Sequence, residues 1–192
     1  MPRPSKPTLS DRLKRVKPRP PCPVKLRPEL LLSPNIPKPM HGLAPREILG
    51  RKWWDATRKA AYKATAFHCL ACGVHKSEAE YHKWLEGHEV YSIDYLTGKM
   101  IYLETVALCH FCHNSIHDGR LKSLLEKGEI HHAKYAAIMQ HKDSVLARAG
   151  LVCKAGYSGP TADWPDWRLV LDGAEYPPLW RSFDDWRKAM EC

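Results

Sequence analysis

The 192-residue sequence holds no apolar run long enough to span a bilayer. Its basic start is followed by no apolar h-region, which argues against a secretory signal. It has no internal repeat, so stacked-repeat architectures are excluded. His88-Glu89 has Ser92 rather than a second histidine after it, which excludes a His-Glu-x-x-His protease. A nucleobase deaminase needs His-x-Glu and Pro-Cys-x-x-Cys; here the order is His-Glu, and Leu108 stands in place of the proline. An even set of paired cysteines is also missing. There are seven, and four of them stand in two Cys-x-x-Cys pairs, a pattern of metal binding in a reducing compartment rather than of a disulfide framework. Cys22, Cys153 and Cys192 fall outside the pairs and are expected as free thiols.

What is abundant is positive charge and proline, both concentrated at one end. Residues 1–40 hold ten Lys or Arg against two acids, and so carry +8 of the net +9. They also hold eleven of the sixteen prolines. Proline fixes φ and removes donors, so this stretch is expected as a flexible, partly polyproline arm, its last part extended along the folded domain. A polyanion, nucleic acid above all, is the natural partner of Arg12, Lys14, Arg15, Lys17 and Arg19.

Hydrophobic content of 44% permits a modest core. Spacing of Ile48, Leu49, Trp53, Ala56 and Ala60 predicts a helix over 45–66, with Pro45 in its first turn and Trp53 and Trp54 as packing residues. Tyr81, Trp84 and Leu85 stand at helical offsets within 77–85. Alternation from Val90 to Tyr95, the turn Thr97-Gly98-Lys99 and the return through Met100 to Leu103 predict a β-hairpin. Further helices are expected near Cys112, after Gly119, over 131–149 and after Ser182. Asp172-Gly173 signals a second hairpin.

The chemistry centres on two elements of this pattern. Cys69, Cys72, Cys109 and Cys112 suit one tetrahedral structural zinc, each pair chelating at a turn. With four thiolates on the zinc, the histidines are left for a second task. His113 and His117 are four apart, hence on one helical face. His88 opens the first strand of the hairpin. The remaining histidines, at 41, 75, 82, 131, 132 and 141, have no such frame and are read as surface residues.

This combination resembles the HNH nucleases, the ββα-metal endonuclease superfamily, over Phe67 to Arg120. The most specific piece is Ala107-Leu108-Cys109-x-x-Cys112-His113-x-x-x-His117. The four-cysteine zinc is similar to that of phage endonuclease VII and of small phage and bacterial HNH proteins. The resemblance implies His88 as the base that activates water. It implies His113 and His117 as ligands of a divalent cation (magnesium, manganese, nickel or zinc) beside the scissile phosphate; the basic arm and Arg120 suit the nucleic-acid backbone by their charge. Two positions depart from the family. Gly87 stands where a His or Asp ligand often precedes the base, and Glu89 or Glu86 is available to replace it. Glu104 falls where the family's asparagine braces the loop around the base. A register with His88 on the metal and Glu89 as base is also open.

The sequence therefore predicts an α+β chain. Residues 1–40 form the basic arm, 41–150 a zinc-bound HNH-like domain with its core at 67–120, and 151–192 a C-terminal hairpin and helix. The expected activity is metal-dependent hydrolysis of DNA in the cytoplasm of a bacterial or phage-infected cell, with RNA or a protein as other partners and no membrane. The alternative is an inactive HNH-fold zinc module that binds nucleic acid or a protein.

Overall fold

Pro45 opens helix α1 (Pro45–Ala64), where its missing N–H is one of the donors that a helix start leaves unpaired in any case. Gly50, at φ 77 and ψ 175, breaks the helical path, so α1 is kinked. A computed structural model describes residues 21–153 and 156–191. Arg12, Lys14, Arg15, Lys17, Arg19 and Cys192 lie outside them. Among the described residues the chain is α+β, with five α-helices and one four-stranded sheet.

The alternating stretch forms β1 (Glu86–Asp94) and β2 (Lys99–Leu108), paired antiparallel with His88 opposite Val106. A register shift between Val90 and Tyr91 leaves Leu103 as the extra residue of β2. Cys109 then turns the chain directly into α2 (His110–Ile116), followed by α3 (Asp118–Glu126). The expected helical stretch at 77–85 is instead turns and bends. Three apolar offsets cannot repay a helix nucleus when Tyr81 and Trp84 are exposed and Tyr81 sits at φ 69.

The long C-terminal pattern becomes α4 (His132–Arg148), which buries Ile138, Val145 and Leu146. Gly150, at φ 66, ends it. Its N–H bonds to the Ala147 carbonyl and that of Leu151 to the Leu146 carbonyl, the paired bonds of a Schellman cap.

Asp172 and Gly173 form the turn between β3 (Arg168–Leu171) and β4 (Ala174–Tyr176), both at positive φ as a type I′ turn requires. This hairpin, expected as a separate C-terminal unit, extends the first sheet. β3 pairs parallel with β2, with Met100 beside Leu169, giving the order β1-β2-β3-β4. The buried Trp167 lies under that join, together with Met40 and Met100. The last helix, α5 (Phe183–Glu191), begins where Ser182 Oγ accepts the Asp185 N–H at 3.2 Å.

The arm needs correction. Within 21–40, Pro28–Leu32 forms a 3-10 turn whose Leu30 and Leu31 are buried in the main core, among residues of β1, β2 and α4. Proline forbids long helix there, but a single tight turn tolerates Pro28 at its start. The Arg27 N–H also bonds to the Leu70 carbonyl at 2.8 Å. Among the described residues no helix is long and apolar enough to cross a membrane.

Leu31 is 0% exposed. Leu31→Ala should therefore cost about 2–5 kcal/mol in a urea unfolding titration of the full chain. A loss below about 0.5 kcal/mol, the range of surface substitutions, would show that 28–32 is not core.

Candidate metal centres and cleft

The first centre is built by three elements. The knuckle at 69–72 docks on the sheet through the Leu70 N–H, which bonds to the Ala107 carbonyl at 2.8 Å. Cys109 sits between β2 and α2, and Cys112 lies one turn into α2. The four sulfurs come within 4.8 Å of one another, with Cys72 and Cys109 Sγ at 3.8 Å. Zinc–thiolate bonds near 2.3 Å in a tetrahedron place sulfurs about 3.8 Å apart, so the set fits a metal ion such as zinc. Electrostatics point the same way. Burial alone would raise the Cys69 thiol, but hydrogen bonds from Cys109, Cys112 and Cys72 hold it well below its ordinary value. Cys109, Cys69 and Cys72 in turn push Cys112 up. One thiolate inhibits the next until a cation compensates them all. His141 Nε2 lies 3.3 Å from Cys112 Sγ. It was read from sequence as a surface residue, but it can donate an N–H to that sulfur.

The second centre is the histidine triad. His88 on β1, His113 in α2 and His117 at the end of α2 each offer a ring nitrogen, and these lie within 4.8 Å of one another. Their ring centroids are 5.3, 5.2 and 4.8 Å apart. Burial, with His113 and His117 beside it, lowers His88 to about 3. Burial, with His113 and Arg120 nearby, lowers His117 to about 4. Both imidazoles are neutral at pH 7, the state that binds a cation or accepts a proton.

Strand alternation decides which acid joins them. Successive side chains of β1 point to opposite faces. Glu86 shares the face of His88, and its Oε2 meets His113 Nδ1. With Nδ1–H donated to the carboxylate, Nε2 is the nitrogen of His113 that carries a lone pair for a ligand. Burial alone would raise Glu86, but hydrogen bonds from His110 and His113 hold it well below the carboxylate range. Gly87 and Glu89 face α1 instead. A Cβ on Gly87 would stand 2.9 Å from Trp54 Cη2 and 3.1 Å from Arg58 Cβ, so no ligand side chain fits there. Glu89 Oε2 accepts from Arg46 Nη1 at 2.8 Å. Glu89 thus borders the cleft but is not part of the triad.

Glu104 is not among the residues lining the cleft; it pairs with Arg27. The loop-bracing role expected of it has no support in that placement, because the bulge and the Arg27 contact take it elsewhere.

The cleft over the triad measures about 1250 Å³. Lys38, Arg46, Arg51, Arg58 and Arg120 line it, as do Glu47, Asp55, Glu86 and Glu89. Charge is thus nearly balanced overall. Arg46 is engaged by Glu89 and Arg58 by Asp55. Among the described residues, Arg51 and Arg120 have no ion-pair partner, which leaves them available to an anion.

The chain matches no family model, no curated protein and no solved structure. Function is therefore read from the site.

The close approach of Trp54 to Gly87 is testable. Gly87→Ala should destabilise by about 1–3 kcal/mol, because α1 must move off β1. Unfolding in urea measures it, and wild-type stability would contradict that packing.

Proposed function

We propose that this chain is a metal-dependent nuclease of the HNH type that hydrolyses phosphodiester bonds in DNA. One observation carries the reading: three histidines from two elements converge in a cleft that also presents Arg51 and Arg120. Phosphodiester hydrolysis needs a group that takes a proton from water, and charge relief at the phosphate. His88 is the proton acceptor. It is buried on β1, opposite Val106 of β2, and it is uncharged at neutral pH. An approaching phosphate anion favours its protonated form. His113 and His117 are the cation ligands, and Glu86 orients His113 through Nδ1. A divalent ion held there supplies Lewis-acid stabilisation of the phosphate oxygens. Two imidazoles favour a transition metal or zinc over magnesium. Arg120 and Arg51 contact flanking phosphates, where backbone contacts position the substrate without reading its sequence.

A second reading, a zinc module that binds nucleic acid without cutting it, is favoured by one observation: Glu104 is occupied by Arg27 away from the cleft.

Nicking of supercoiled plasmid by the full chain, with magnesium, manganese, nickel or zinc added in turn, separates the two. The nuclease reading expects metal-dependent nicking that His88→Ala slows by about 10²–10⁴-fold. Nicking unaffected by His88→Ala would remove His88 as the base. Binding of the plasmid with no nicking under any metal would support the second reading.

A further inference from the structure

Beside the triad stands another set of ligands that the nuclease reading does not use. His82 from the 77–85 segment and His110 at the start of α2 meet the other oxygen of Glu86. His82 Nε2 and His110 Nδ1 each lie 2.9 Å from Glu86 Oε1. One ligand atom from each of the three residues falls within a 4.8 Å group. The side chains are 9%, 12% and 23% exposed. We propose that His82, His110 and Glu86 form a second divalent-cation site, with the Glu86 carboxylate shared between it and the triad.

Three observations support this. First, Glu86 is mostly buried, and among the described residues its partners are three histidines, with no Lys or Arg. A mostly buried carboxylate surrounded by ring nitrogens is a ligand set for a cation, which would neutralise it. Second, Asn114 fixes the orientation of His110. Asn114 Nδ2 donates to the His110 carbonyl at 2.8 Å and also lies 3.1 Å from His110 Nδ1. His110 Nδ1 is thus turned toward Glu86 with its ring anchored by Asn114, and an ion between the two would take the place of the proton that now links them. Third, both imidazoles are held in place. Tyr81 stacks on His110 at 4.2 Å, and Trp84 on His82 at 3.7 Å and an interplanar angle of 2°. Fixed rings cut the ordering cost of binding.

Two imidazoles and a carboxylate suit zinc or a late first-row metal better than magnesium or calcium. Bonds of about 2.1 Å in a tetrahedron set ligands about 3.4 Å apart. Opening the 2.9 Å contacts by roughly half an ångström therefore admits the ion. With Glu86 Oε2 on His113 and Oε1 on His82 and His110, the carboxylate lies between the two sites, as in paired-metal centres.

The test is metal content of the full chain, loaded with zinc and freed of excess by gel filtration. Wild type should hold about three zinc ions, one for each cluster. The double variant His82→Gln, His110→Gln should hold about one fewer. His117→Ala should independently lose about one. Cobalt-loaded samples serve as the folding control, because the thiolate-to-cobalt absorption reports an intact four-cysteine site. Equal metal content in wild type and the double variant overturns the second site, whatever His117→Ala does. Loss in the double variant but not in His117→Ala upholds the second site and counts against the cation in the triad. Should the double variant lose its thiolate absorption, the single variant His82→Gln decides, because His82 lies outside α2: it should hold about one zinc fewer with the thiolate-to-cobalt absorption intact, and unchanged metal content overturns the proposal.

Discussion

The convergence of four sulfurs is the constraint on which the remaining structure depends. Cys69 and Cys72 lie in an irregular knuckle, while Cys109 and Cys112 join the end of β2 to the start of α2. None of these segments is long. The knuckle has few backbone bonds of its own, and α2 is seven residues. A helix of that length is marginal without tertiary support. A cation held by the four cysteines would supply that support and would set the angle at which α2 leaves the sheet. That angle in turn determines where His113 and His117 meet His88. The buried leucines at 30 and 31 close the other side of the same core.

Within this frame, the phase of β1 distributes the chemistry. Glu86 and His88 look toward α2, where imidazoles and metal-binding capacity collect. Gly87 and Glu89 look toward α1, where Trp54 and Arg46 lie. Glu86 thus becomes the hub: three histidines address its two oxygens. Its burial would be costly alone, and the hydrogen bonds from His110 and His113 offset that cost. Arg51 and Arg120 complete the cleft with charge not already committed to a carboxylate.

Much of this was legible in the sequence, because some patterns state their own geometry. Cys-x-x-Cys pairs chelate, alternation makes a hairpin, and a four-residue interval aligns His113 with His117. Asp172-Gly173 and Ser182-x-x-Asp185 likewise form the turn and helix start they signal. Other features rest on partners distant in the chain. The parallel join of β2 to β3 brings Met100 beside Leu169, and nothing local specifies it. The proline count around Leu30 and Leu31 masked a core turn. The choice between Glu86 and Glu89 needed the strand's phase relative to α2. His82 reaches Glu86 from an irregular segment whose path no spacing rule describes, so its role was missed. A histidine four residues before a glutamate, close to a metal knuckle, is the faint signal that was present.

The central claim is that a cation on Cys69, Cys72, Cys109 and Cys112 organises the fold. Its most direct test is stepwise addition of cobalt to the metal-free full chain, following thiolate absorption and near-ultraviolet circular dichroism together. The account predicts that the tertiary signal of the packed tryptophans and tyrosines rises in step with the thiolate band and is complete when about one cation fills the four-cysteine site. A full tertiary signal before any metal is added, or cobalt binding with no thiolate band, would contradict it.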